Sequence, residues 1–152
     1  MSDSTKEEPK PSDLNLLLQT CVDGEEGYQL ASESVRNVEL KETLARYAAQ
    51  RIRFRQELRV ILDSLAEKPD EEPTVTGAVH HGWINLKAIA KDGDERAILV
   101  ECVRGEHAAV ERYGKITIQG DIPPSAVSTV RRQAMEISDA LARMEELAKK
   151  SN

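Results

Sequence analysis

Cys21-Val22-Asp23-Gly24-Glu25 returns as Cys102-Val103-Arg104-Gly105-Glu106, with four of five positions matched at an offset of 81 residues. At the same offset Leu18, Tyr28, Ser32 and Val35 fall on Leu99, Ala109, Tyr113 and Ile116, so the stripes around the two pentapeptides superpose. A second pair of segments aligns at an offset of 83, bringing Gln50 onto Gln133, Leu58 onto Leu141 and Leu44 onto Val127. Agreement at both offsets predicts that the chain contains two copies of one helical hairpin.

The stripes around these copies set the element order. Leu14, Leu18, Cys21, Glu25, Tyr28, Ser32 and Val35 recur at spacings of three and four, predicting a first helix over about 12–35. Leu40, Leu44, Tyr47, Arg51, Phe54, Leu58, Ile61 and Leu65 repeat the pattern after a break near Arg36 and Asn37, too short for anything but an antiparallel neighbour. Glu67 to Gly77 is acidic and proline-containing, the composition of a loop. A short helix is expected over Gly77–Ala90 with Val79, Trp83, Leu86 and Ala90 on one face. Asp94 then offers an N-cap for a helix reaching about Thr117. After the turn at Gly120–Pro124, a last helix carries Val127, Val130, Ala134, Ile137, Leu141, Met144 and Ala148. The second and third long helices are separated by far more than the roughly two to eight residues that join antiparallel neighbours. They are therefore expected to run parallel, which gives an all-α, ferritin-like four-helix bundle with one long crossover; an irregular five-helix bundle is the competing arrangement.

Composition agrees with packed helices. Of 152 residues, 39% are apolar and only 3% aromatic, so the core must be built from Leu, Ala, Val and Ile. Residues 1–11 lack apolar periodicity and are expected to be a disordered tail, leaving 12–150 as one domain. A formal charge of −6 opposes non-specific attraction to nucleic acid or an anionic membrane, and no apolar run is long enough to span a bilayer. A bacterial-type cytoplasm is the expected location. Cys21 and Cys102 read as reduced core thiols, about 12 Å apart on opposite sides of the Glu25/Glu106 level and out of disulfide reach.

The acidic residue of each repeat carries the chemistry. Glu25 and Glu106 fall on core stripes, where an unpaired carboxylate is costly to bury. Counting outward from Asn37, Glu25 lies twelve residues before it and Arg51 fourteen after, at one level. The expected result is a buried polar layer of Glu25, Arg51 and Glu106, with Gln50 or Gln133 completing its hydrogen bonds. A di-iron bundle needs a Glu from each of two helices and a Glu-x-x-His from each of the other two. The second and fourth long helices contain no histidine, and the Arg51 guanidinium would repel a dication. The alternative is that Arg51 snorkels to the surface and the two glutamates sit at the stripe's edge.

Other candidates are weaker. His80 and His81 point about 100° apart on a helix and are expected at the surface, as is His107. Trp83 is expected to anchor the crossover helix. Arg46, Arg51, Arg53, Arg55 and Arg59 form a basic stripe, read as a solvated face or a self-association surface.

Asp23-Gly24-Glu25-Glu26-Gly27-Tyr28, Gly82-Trp83-Ile84-Asn85-Leu86-Lys87 and Glu101-Cys102-Val103-Arg104-Gly105-Glu106 resemble a family of uncharacterised bacterial ferritin-like four-helix-bundle proteins. The resemblance covers about Asp13 to Leu147. It implies the fold and no activity, substrate or cofactor, the family being a domain of unknown function. The expectation is a non-enzymatic module that self-associates or binds a protein partner, with no cofactor and no metal site. The alternative is a metal-binding redox or iron-storage-like protein using Glu25 and Glu106.

Overall fold

The computed structural model describes residues 12–71, 83 and 85–151, and these are helical with no strand among them. The expected tail at 1–11, the N-terminal part of the crossover helix, and His80 and His81 lie outside the described residues.

Four long helices dominate. Helix α1 spans Asp13–Ser34, with Ser12 Oγ accepting the Asn15 N–H at its start. Val35, Arg36 and Asn37 turn the chain into α2, Val38–Ser64, where Asn37 Oδ1 accepts the Leu40 N–H at 2.9 Å. Ser32 and Lys41 exchange side-chain-to-backbone bonds beside that turn, while Ser12 and Asn15 meet Glu67 at the far end, so α1 and α2 run antiparallel.

Helix α2 closes with Glu67 N–H on Leu62 O and Ala66 N–H on Asp63 O. This pattern puts the penultimate residue in the left-handed region, and Ala66 sits there at φ 56°. The following segment straps back over α1: Asn15 Nδ2 donates to Glu67 and to Lys68 O, Asn15 Oδ1 accepts from Asp70 N–H, and Gln19 donates to Asp70.

The short helix α3 covers Leu86–Asp92 and stops at Gly93, whose φ of 66° suits a residue without a Cβ. Asp94 caps α4, Glu95–Gln119. A single 3₁₀ turn, Pro124–Ala126, leads into α5, Val127–Lys150.

Contacts between α1 and α4 run in opposite order along the two chains: Asp13 with Asp121 just past α4, Cys21 with Tyr113, Tyr28 with Glu106, and the α1–α2 turn with Glu95. The pair is antiparallel, which makes α2 and α4 parallel, as the long connection requires. Helix α1 is enclosed by α2, α4 and the strap, so polar Asn15, Gln19, Thr20 and Asp23 are buried beside its leucines.

The apolar core falls into two clusters. One gathers Leu14, Leu18, Phe54, Leu58, Tyr113, Val130 and Ile137, and the other gathers Tyr28, Leu44, Trp83, Leu86, Ile98, Leu99 and Met144. A band of polar side chains lies between them.

Candidate functional site

Arg51 is central to the polar band. Its side chain is 0% exposed and pairs through Nη2 with Glu106 Oε2, also 0% exposed. Snorkelling is thereby ruled out. The arginine fits because Gly24 on α1 has no side chain: a Cβ there would stand 2.6 Å from Arg51 Nη1. Arg51 Nε donates to Gln50 Oε1 at 3.2 Å, and its guanidinium carbon lies 5.4 Å from the centre of the Tyr28 ring. Tyr28 Oη donates to the same Glu106 oxygen.

The charge states follow from this geometry. Burial works to lower the Arg51 pKa, but the Glu106 charge opposes it and the guanidinium ends above its ordinary value, fixed as a cation. Burial and then Glu106 push the Tyr28 phenol well up, so it keeps its proton. Arg51 Nη1 and Glu106 Oε1 have no hydrogen-bond partner among the described residues, because the pair is joined through one oxygen rather than as a two-pronged fork.

The remaining expected residues lie elsewhere in the band or outside it. Gln133 accepts from Tyr113 Oη at 2.7 Å and donates to Glu57 and to Phe54 O, while Tyr113 Oη also lies 3.1 Å from Cys21 Sγ. Gln133 thus serves a neighbouring network and makes no bond to the Arg51–Glu106 pair.

Glu25 is not a member of the charged pair. Its carboxylate, 14% exposed, takes Arg55, and the other arm of Arg55 takes Glu71. The expected triad therefore divides, for a reason of helical phase. Gly24 is the α1 residue that faces Arg51, and Glu25 is turned about 100° further round, toward the edge where α2 presents Arg55 one turn later. Arg55, read as part of a solvated stripe, is instead half-buried and ties α1 to the segment after α2; Arg59 reaches the same Glu71 at 3.4 Å from an exposed position.

Three details go beyond the sequence reading, which expected Trp83 as the anchor of the crossover helix without the glycines that receive it. Trp83 is wedged between α1 and α4, its ring occupying the space that a Cβ on Gly27 or on Gly105 would need, 2.2 Å from a ring carbon in each case. The two glycines at repeat positions therefore differ in use, Gly24 admitting Arg51 and Gly105 admitting Trp83. Glu101 is 4% exposed and one of its oxygens is unpartnered among the described residues. The Tyr28 hydroxyl bonds Glu106 beside the Gln50 contact to Arg51, and the Tyr113 hydroxyl joins Gln133 in the neighbouring network. A signal was present for the first feature only: Gly27 and Gly105 are glycines inside helices, which usually marks close packing.

Cys21 and Cys102 are free and buried, in separate apolar clusters. Burial pushes the Cys21 thiol up to about 11, and burial with the Glu106 and Glu101 charges raises Cys102 as well. His107 is exposed and lies 3.8 Å from Glu111.

The donor set does not fit a di-iron centre. One carboxylate, Glu106, faces this layer, and a guanidinium already holds it. Among the described residues no group of three or more His, Cys, Asp or Glu is placed to hold a metal ion. No described helix is long and apolar enough to cross a membrane.

Residues 11–119, from the start of α1 to the end of α4, match the family described as Domain of unknown function (DUF2383). The chain belongs to this family. The match takes in the repeat copies, Arg51, Trp83 and Glu106, and ends before α5 with Gln133, so it is shorter than the expected span to Leu147. No curated protein matches the chain.

Proposed function

We propose that this DUF2383 chain is a ferritin-like four-helix bundle of two repeated hairpins, working as a self-associating or protein-binding module rather than as an enzyme or iron carrier. The observation that carries this reading is the fully buried Arg51–Glu106 pair at mid-core. A bound guanidinium supplies the positive charge that metals supply in di-iron bundles, and it would repel a dication placed beside it. The parallel course of α2 and α4 supports the bundle order. Val38, Val60, Ile118 and Met135 are more than half exposed, giving apolar side chains for contact with a partner or a second copy. A cytoplasmic setting belongs to the same proposal and is supported by two free thiols.

Two measurements test it. Protein incubated with ferrous iron and desalted should retain no stoichiometric metal. Iron retained at a fixed ratio and lost in Glu25→Ala or Glu106→Ala would establish the iron-binding alternative. Sedimentation velocity over a range of concentrations should show association that weakens in Val60→Glu or Met135→Glu; a monomer at every concentration, with no protein partner recovered by cross-linking in cells, would end the module reading.

A further inference from the structure

The chain has five aromatic residues, and three of them stand in a row. Tyr47 of α2 lies 5.4 Å from Tyr28 of α1, ring centre to ring centre, and Tyr28 lies 5.2 Å from Trp83, edge to face. Tyr28 in the middle is 0% exposed, whereas Trp83 is 9% exposed and Tyr47 half-buried. Separations of this size allow an electron to pass from ring to ring.

The members differ in what can happen to their protons. Tyr28 Oη donates to Glu106, a carboxylate already in place to take the proton. Trp83 Nε1 is buried without a partner among the described residues, so a hole on the indole cannot settle there by proton loss. Removing one electron leaves a positive charge behind. At Tyr28 it falls beside the Glu106 carboxylate that holds the phenol, with the Arg51 guanidinium carbon 5.4 Å from the ring centre.

From these observations we infer that Tyr28 is a redox-active tyrosine, oxidised through Trp83 with Glu106 as its proton acceptor. A diffusible one-electron oxidant takes an electron from Trp83. The indole radical cation keeps its N–H and recovers an electron from Tyr28 as the phenolic proton crosses to Glu106 Oε2. The products are a neutral Tyr28 phenoxyl radical, a neutral Glu106 carboxylic acid and the oxidant reduced by one electron. A diffusible thiolate reverses the step by giving up one electron and becoming a thiyl radical, while Glu106 returns its proton to the phenolic oxygen. The activity is the capture of oxidising equivalents inside the helical core.

The experiment is freeze-quench electron paramagnetic resonance on the full chain after flash oxidation by photogenerated tris(bipyridine)ruthenium(III). A phenoxyl signal is expected in the wild type, retained in Tyr47→Phe and Tyr113→Phe and lost in Tyr28→Phe. Its formation should be slower in Trp83→Phe and slower in deuterated solvent. Persistence of the signal in Tyr28→Phe, or its loss in Tyr47→Phe or Tyr113→Phe, overturns the assignment. An unchanged rate in Trp83→Phe overturns the route, and the absence of a solvent deuterium effect overturns the coupled proton step. Tyr28→Phe gives up one hydrogen bond and no ring volume, so the decisive variant keeps the core filled.

Discussion

Arg51 shows how a single buried charge constrains its neighbours. Replacing it with alanine leaves the enclosed Glu106 without its charge partner, and should destabilise by about 3–5 kcal/mol in chemical denaturation. The double variant Arg51→Met/Glu106→Leu removes both charges at similar volume and should recover most of that loss. The glycines make a second contrast. Gly27→Ala or Gly105→Ala drives a methyl into the Trp83 ring and should cost about 1–3 kcal/mol, with a red shift of the sole tryptophan's emission as the indole is displaced. Gly114 has nothing within 4 Å of its added methyl and lies inside α4, so Gly114→Ala should stabilise by about 0.5–1 kcal/mol. That Arg51 and Glu106 lie on core stripes was legible in the spacing of the apolar residues. The exclusion of Glu25 was not, because Gly24 and Glu25 are neighbours in sequence and only the packing of α1 against α2 decides which of them faces inward.

Among the elements, the end of α2 departs most from local preference. Ala66 occupies a left-handed position that glycine fills without a Cβ penalty, so Ala66→Gly should raise the unfolding free energy by about 0.5–1 kcal/mol, read from the shift in denaturant midpoint. The strap that follows depends on Asn15, whose amide both donates and accepts. Asn15→Ala should leave the helices formed while speeding limited proteolysis between Glu67 and Glu71, an effect visible by mass spectrometry. Helix boundaries were readable where a cap or a break declares them, as at Asp94 and at the break near Arg36 and Asn37. The strap was not, since residues 67–71 show only loop composition, and nothing in it announces that Asn15 and Gln19 will be covered.

For the whole molecule, pH dependence follows from the enclosed acids of the core. Cys21, Cys102, Tyr28 and Tyr113 all hold their protons more tightly folded than unfolded, burial being the leading cause in each. Their contribution is complete below the unfolded pKa values and is lost as pH rises above them, because only the unfolded chain then releases protons. Thermal midpoints should therefore fall steeply above about pH 9, where free thiols and phenols begin to ionise. A flat profile to higher pH would show these groups to be hydrated in the native state.

The polar band has one more consequence, for how the helices settle against each other. Leucine-rich stripes at spacings of three and four nearly repeat after one helical turn, so apolar packing alone discriminates poorly between an alignment and its neighbour slid by about 5.4 Å. With few aromatic side chains to act as unique shapes, this chain is more exposed to such slippage than most. A slide of α2 by one turn would carry the guanidinium away from Glu106 and the Gly24 recess and against apolar side chains of the facing helices, such as Leu18 and Ile137. The cost of that stranded charge makes Arg51 a tooth that meshes at a single notch, selecting one alignment from several that the leucines alone would accept.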